Sequence, residues 1–115
     1  MNHGDVVTLA TSGPLEVFAE CTPSGAAGTM LELFVTSSEN GWREANEALT
    51  ALTSGQVLSL GQRASGATGE WGIASNVSAW TPSGHFIGSN LSYGILVTPD
   101  FRCLVTGKIF AAQAP

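Results

Sequence analysis

Five Ser-Gly pairs, Ser12-Gly13, Ser24-Gly25, Ser54-Gly55, Ser65-Gly66 and Ser83-Gly84, cut this chain into short pieces. Glycine reaches positive φ without steric cost and serine bonds its own backbone, so such pairs mark turns. The pieces between them are mostly rich in Val, Leu, Ile, Thr and aromatic residues, a strand-forming composition. Many short strands joined by tight turns build a sandwich or a barrel rather than a helical bundle.

Alternation then assigns faces. In residues 15–21, Leu15, Val17, Ala19 and Cys21 share one side, and Glu16, Phe18 and Glu20 the other. Period two places the apolar set on a core. In residues 29–37, Leu31, Leu33 and Val35 face one way; Met30, Glu32, Phe34 and Thr36 face the other. Residues 5–11 and 56–60 also read as strands, and 61–72, rich in small residues, as a long loop. Residues 75–80 and 85–87 flank Thr81-Pro82-Ser83-Gly84, a tight turn with proline at its second position. Residues 90–97 and 101–110 complete the sheets, with 1–4 a leader and 111–115 a frayed tail. Residues 38–52 break the pattern. Trp42, Ala45, Leu49 and Leu52 recur at helical spacing after Asn40-Gly41, which predicts one short helix or helical loop. The expected fold is all-β: one antiparallel β-sandwich of about seven or eight strands, as a jelly roll or an Ig-like Greek key.

The chain has 115 residues, the size of one domain with a single core. Charged residues are only 11%, against about 25% in ordinary domains. A surface so poor in charge sticks easily. The net charge is −5, and Arg43, Arg63, Arg102 and Lys108 are scattered. Phosphate recognition needs clustered cations, so nucleic acid is not expected as a partner, nor is an anionic membrane surface. No apolar run reaches the ~20 residues of a membrane helix, so insertion is not expected. The first residues do not read as a signal peptide. Export without a cleaved signal, or origin in a longer precursor with Met1 not native, both fit an extracellular or surface-displayed domain.

The opening Gly4-Asp5-Val6-Val7-Thr8-Leu9-Ala10-Thr11-Ser12-Gly13-Pro14-Leu15, Phe18-Ala19-Glu20-Cys21, Trp80-Thr81-Pro82-Ser83-Gly84 and Cys103-Leu104-Val105-Thr106-Gly107 resemble uncharacterised secreted or surface β-domains of high-GC Gram-positive bacteria. Some of those are attached to collagen-like or repetitive stalks. The resemblance implies an extracellular β-domain and supplies no activity.

Cys21 and Cys103 are the only cysteines, each in an apolar strand. An even count outside the cytosol points to a disulfide. Closing most of the chain into one loop is worth about 4–5 kcal/mol in the chain-entropy model. No catalytic residue, cofactor or metal site is expected. His3 and His85 do not make a zinc site, and Asp5 and Asp100 are too few for calcium. Ser83 beside His85 lies inside a turn and lacks the elbow of a hydrolase nucleophile. Glu39, Glu44 and Glu47 gather around Trp42 and Arg43. Trp42, Arg43, Glu44 and Glu47 thus form a candidate ligand patch for carbohydrate, against a solvated helix face with Arg43 paired to Glu47.

The expected function is a non-catalytic extracellular structural or assembly module: an appendage subunit, a stalk head or a virion decoration protein. Met30, Glu32, Phe34 and Thr36 are its candidate interface, because an apolar pair on an outer sheet face marks association. The partner is then another copy, giving a homo-oligomer, or a surface or virion scaffold. The alternative is a carbohydrate-binding module using exposed Trp42, Trp71 or Trp80, with a small hydrolase third.

Overall fold

The computed structural model describes residues 4–23, 29–45, 48–65, 70–96 and 102–113. Among the described residues nine strands follow one another, not the seven or eight expected, because the segment expected to be helical forms two of them: β1 (Val6–Ser12), β2 (Leu15–Pro23), β3 (Thr29–Ser37), β4 (Gly41–Ala45), β5 (Ala48–Leu52), β6 (Val57–Ser65), β7 (Glu70–Trp80), β8 (His85–Leu96) and β9 (Arg102–Gln113). Sheet I has the order β1-β2-β3-β6 and sheet II the order β5-β4-β7-β8-β9. Every pairing is antiparallel, and the two sheets pack together as a β-sandwich.

The alternation seen in the sequence sets the core. Leu15, Val17, Ala19 and Cys21 of β2 are fully buried, as are Leu31, Leu33 and Val35 of β3. From sheet II they meet Leu52, Val77, Ala79, Ile87, Leu91, Tyr93 and Ile95. Each of the buried Val, Leu and Ile side chains contributes about 1.5–3 kcal/mol by leaving water. Leu9, Leu60 and Ile109 pack against both halves of the core.

Cys21 and Cys103 form a disulfide, with Cα atoms 6.0 Å apart. It joins β2 of sheet I to β9 of sheet II. Stacked sheets ordinarily lie about 10 Å apart, so the bridge draws the two layers together at this corner. Both cysteines are completely buried.

The expected helix in residues 38–52 is absent. Among the described residues the segment is the hairpin β4–β5, with Trp42 opposite Ala51, Arg43 opposite Thr50 and Glu44 opposite Leu49. The apolar spacing misled because its members do not share a face: Leu52 is in the core while Leu49 is 62% exposed. Asn40 does not start a helix either. Its Oδ1 accepts from the backbone N–H of Ser54 at 2.8 Å, tying the β3–β4 loop to the turn before β6. Gly41 then lets β4 lie on β7, since a Cβ there would strike the Trp80 carbonyl oxygen.

Other boundaries also moved. The expected loop at 61–72 is partly strand, with β6 running to Ser65 and β7 starting at Glu70. Of its described small residues, Gly61, Ala64 and Ser65 pair with Leu33, Met30 and Thr29 of β3, and Gly72 pairs with Tyr93 of β8. The two short strands expected at 85–87 and 90–97 are one, β8. Strand β9 continues to Gln113, which pairs with His85. The turn at 81–84 is as expected: Gly84 N–H donates to the Thr81 carbonyl at 3.0 Å.

Candidate functional site

In an antiparallel ladder, residues directly opposite share a face. The outer face of sheet II is therefore read from its register. One row runs Ala51, Trp42, Trp80, Phe86, Ala112 across all five strands. The next row runs Leu49, Glu44, Ser78, Gly88, Phe110. The Trp42 and Trp80 rings stack, with centroids 6.4 Å apart and planes 25° apart. Trp42 is 39% and Phe86 38% exposed; Leu49 and Phe110, at opposite edges of the face, are exposed by 62% and 65%. Large apolar groups left in water on one flat face are the surface feature that most needs explaining.

A polar cluster stands at the end of the aromatic row. Glu39 lies three residues before Trp42, Ser83 three after Trp80, and His85 one before Phe86. Ser83 Oγ–H donates to Glu39 Oε1. Ser83 Oγ is also 2.9 Å from Thr81 Oγ1 and 3.0 Å from His85 Nδ1. A serine has one proton to give. With that proton directed at Glu39, Ser83 Oγ is left as an acceptor toward its other neighbours. The Ser83 and Thr81 hydroxyls hold the Glu39 carboxyl below the usual carboxylate range, aided by the Ser83 backbone and by His85. Ser37 Oγ fastens the same loop from below, donating to the Glu39 carbonyl at 2.7 Å. Gly13, in the left-handed region at φ 55°, completes the cluster, because a Cβ there would collide with the His85 ring.

This cluster clasps three loops and does not resemble a nucleophile relay. A relay places histidine between hydroxyl and acid; here the serine stands between them. No pocket and no group of three metal-ligating side chains is found among the described residues.

The carboxylates expected around Trp42 do not stay together. Glu39 joins Ser83 across the end of the sandwich, Glu44 sits in the second row, and Glu47 lies outside the described residues. Arg43 turns away from the outer face: its Nη1 donates to the Ser59 carbonyl of β6 at 3.2 Å and its Nη2 to Thr50 Oγ1 at 3.4 Å. It thereby occupies a carbonyl on the outer edge of sheet I. The Trp71 side chain is outside the described part of the structure.

The second candidate, Met30, Glu32, Phe34 and Thr36, does face outward from sheet I, and all four are half-buried. Phe34 has a partner within the chain. Phe18 lies opposite it, and the rings stack at 5.0 Å and 22°. Three carboxylates share this face, Glu16, Glu20 and Glu32, with Glu20 directly opposite Glu32.

Sequence reasoning missed Phe86 and Phe110 as surface residues and Glu39 as the partner of Ser83. The alternation around Ile87 carried a signal for Phe86; nothing local linked Glu39 to a turn 44 residues away. Comparison with known proteins gives no match to any family model, curated protein or solved structure.

Proposed function

We propose that this chain is a non-catalytic extracellular module that works by docking the flat outer face of sheet II against a partner surface. The observation that carries this reading is the pair of rows holding Trp42, Trp80 and Phe86, with Leu49 and Phe110 at their edges. Small ligands are taken by concave sites, whereas a flat apolar-bearing face suits an extended partner. The buried disulfide fits an oxidising compartment, and no helix among the described residues is long and apolar enough to cross a membrane. The strand order supports the Ig-like Greek key over the jelly roll. Strands β2-β3-β6 and β5-β4-β7-β8 follow the two-sheet order of Ig-like domains, with β1 and β9 added at the edges. The sequence resemblance to surface β-domains of high-GC Gram-positive bacteria implies the same extracellular setting.

The assembly role assigned to Met30, Glu32, Phe34 and Thr36 moves to sheet II. Phe18 already covers part of Phe34, and copies meeting through sheet I would bring Glu20 and Glu32 toward their counterparts. Replacing Leu49 and Phe110 by serine tests the proposal, since both are mostly in water and the fold does not need them. The double variant should keep its circular dichroism. It should lose association, read as self-association by light scattering or as retention on insoluble polymer. A wild-type chain that shows neither behaviour at high concentration overturns the proposal.

A further inference from the structure

We infer that the row Trp42, Trp80, Phe86 binds a neutral polysaccharide chain, an inference that rests on the docking role proposed for this face and names its occupant. A sugar ring offers a patch of C–H groups on its faces and hydroxyls around its edge. A site for it needs flat aromatic faces beside hydrogen-bonding groups. The outer face of sheet II supplies both. The Trp42 indole stacks on half-buried Trp80 and keeps 39% of its surface in water, and Phe86, 38% exposed, continues the row opposite Trp80. Aromatic rings of this kind present a large apolar surface at low entropic cost. Glu44 and Ser78 lie in the adjacent row, Asn90 is exposed on β8 one row beyond, and the hydroxyls and carboxylate of Ser83 and Glu39 border the end.

Charge and shape narrow the ligand. Among the described residues, register places three charged residues on this face, Glu44 beside the aromatic row, Lys108 farther along β9 and Arg102 at the opposite end of that strand, so no run of one sign forms. The face attracts neither a polyanion nor a polycation. The three rings stand in a line on an open face, with no pocket among the described residues, an arrangement that suits contact spread along a chain. Three rings on adjacent strands cover two inter-strand spacings, about 10 Å, so consecutive sugar units are engaged together.

A second copy of the chain fits less well. Interfaces between proteins bury an apolar, charge-depleted centre inside a polar rim. Here a carboxylate, Glu44, sits directly beside the aromatic row, and the two most exposed apolar side chains of the face, Leu49 and Phe110, stand at its edges and not at its centre.

The test is retention of the chain on microcrystalline cellulose, chitin and insoluble β-1,3-glucan, with and without added salt. Binding to at least one, unchanged by salt, is expected. Trp42→Ala and Phe86→Ala should each weaken it about threefold to tenfold, the effect of losing one ring contact. Phe34→Ala on sheet I should leave it unchanged. Phe86→Ala carries the test if Trp42→Ala disturbs the hairpin, which circular dichroism reports. Failure to bind any of the three polymers, loss of binding in salt, or equal weakening by Phe34→Ala overturns the inference. If Trp42→Ala instead lowers the mass seen by light scattering, the occupant is a second copy: the polysaccharide falls and the docking face stands. If neither binding nor mass responds, both fall.

Discussion

Reducing the Cys21–Cys103 bridge is the perturbation whose size follows most directly from the fold. The cysteines are 82 residues apart in sequence, so the bridge restrains most of the unfolded chain. The chain-entropy relation gives about 4.5 kcal/mol for a loop of this length at room temperature. Against a total stability of roughly 5–15 kcal/mol for a domain, that is a large share. With an unfolding entropy of about 2.1 cal/mol/K per residue, the loss lowers Tm by roughly 15–20 °C. Reduction leaves both sulfurs in the core, so the comparison isolates the cross-link from packing. Cys21→Ala with Cys103→Ala adds a cavity and should cost more. Urea unfolding of the wild type with and without reductant, followed by tryptophan fluorescence, reads the difference. A midpoint change equivalent to less than about 1 kcal/mol would contradict an entropic role for so long a loop. It would mean that the unfolded chain is already compact at this corner.

Leu33→Ala in the middle of β3 should cost about 2–5 kcal/mol in the same assay, because Leu33 is completely buried between the sheets. A double-mutant cycle on Phe18 and Phe34, each changed to leucine, should give a coupling of about 0.5–1.5 kcal/mol from their stacked rings; no coupling would return Phe34 to the role of an uncovered interface residue. Because the Glu39 pKa is lowered in the folded chain, its clasp stabilises the fold above the usual carboxylate range and is lost as pH falls through the lowered value. Acid titration of stability should therefore be less steep for Glu39→Gln than for wild type, and equal slopes would refute the clasp.

Much of the sandwich was legible because one-sided burial writes itself as period two. β3 begins and ends where the sequence placed it, the inward residues of β2 are those the alternation chose, and the cysteines pair. The turn at 81–84 was legible from its proline and glycine. Residues 42–52 were not. Four apolar residues at helical spacing outweighed a weaker strand signal, and only the ladder with β7 decides between them. The segment 61–72 failed for the opposite reason: glycine and alanine carry little pattern, so a backbone-paired strand looked like a loop. Of the candidate site, Trp42 and Glu44 were named from local crowding. The two rows they belong to were not, since Trp80 and Phe86 join Trp42, and Phe110 joins Glu44, only through cross-strand register. The clasp of Glu39 with Ser83 depends on two loops from different parts of the chain meeting at one end.

Hydroxyl-radical footprinting tests most directly which face works. The chain is labelled alone at low concentration, at high concentration, and in the presence of whichever polysaccharide retains it. Protection is expected at Trp42, Leu49, Phe86 and Phe110 on sheet II, with Phe18, Met30 and Phe34 unchanged. Protection confined to Phe18, Met30 and Phe34, or no protection on either sheet under any of these conditions, would contradict the proposed docking role.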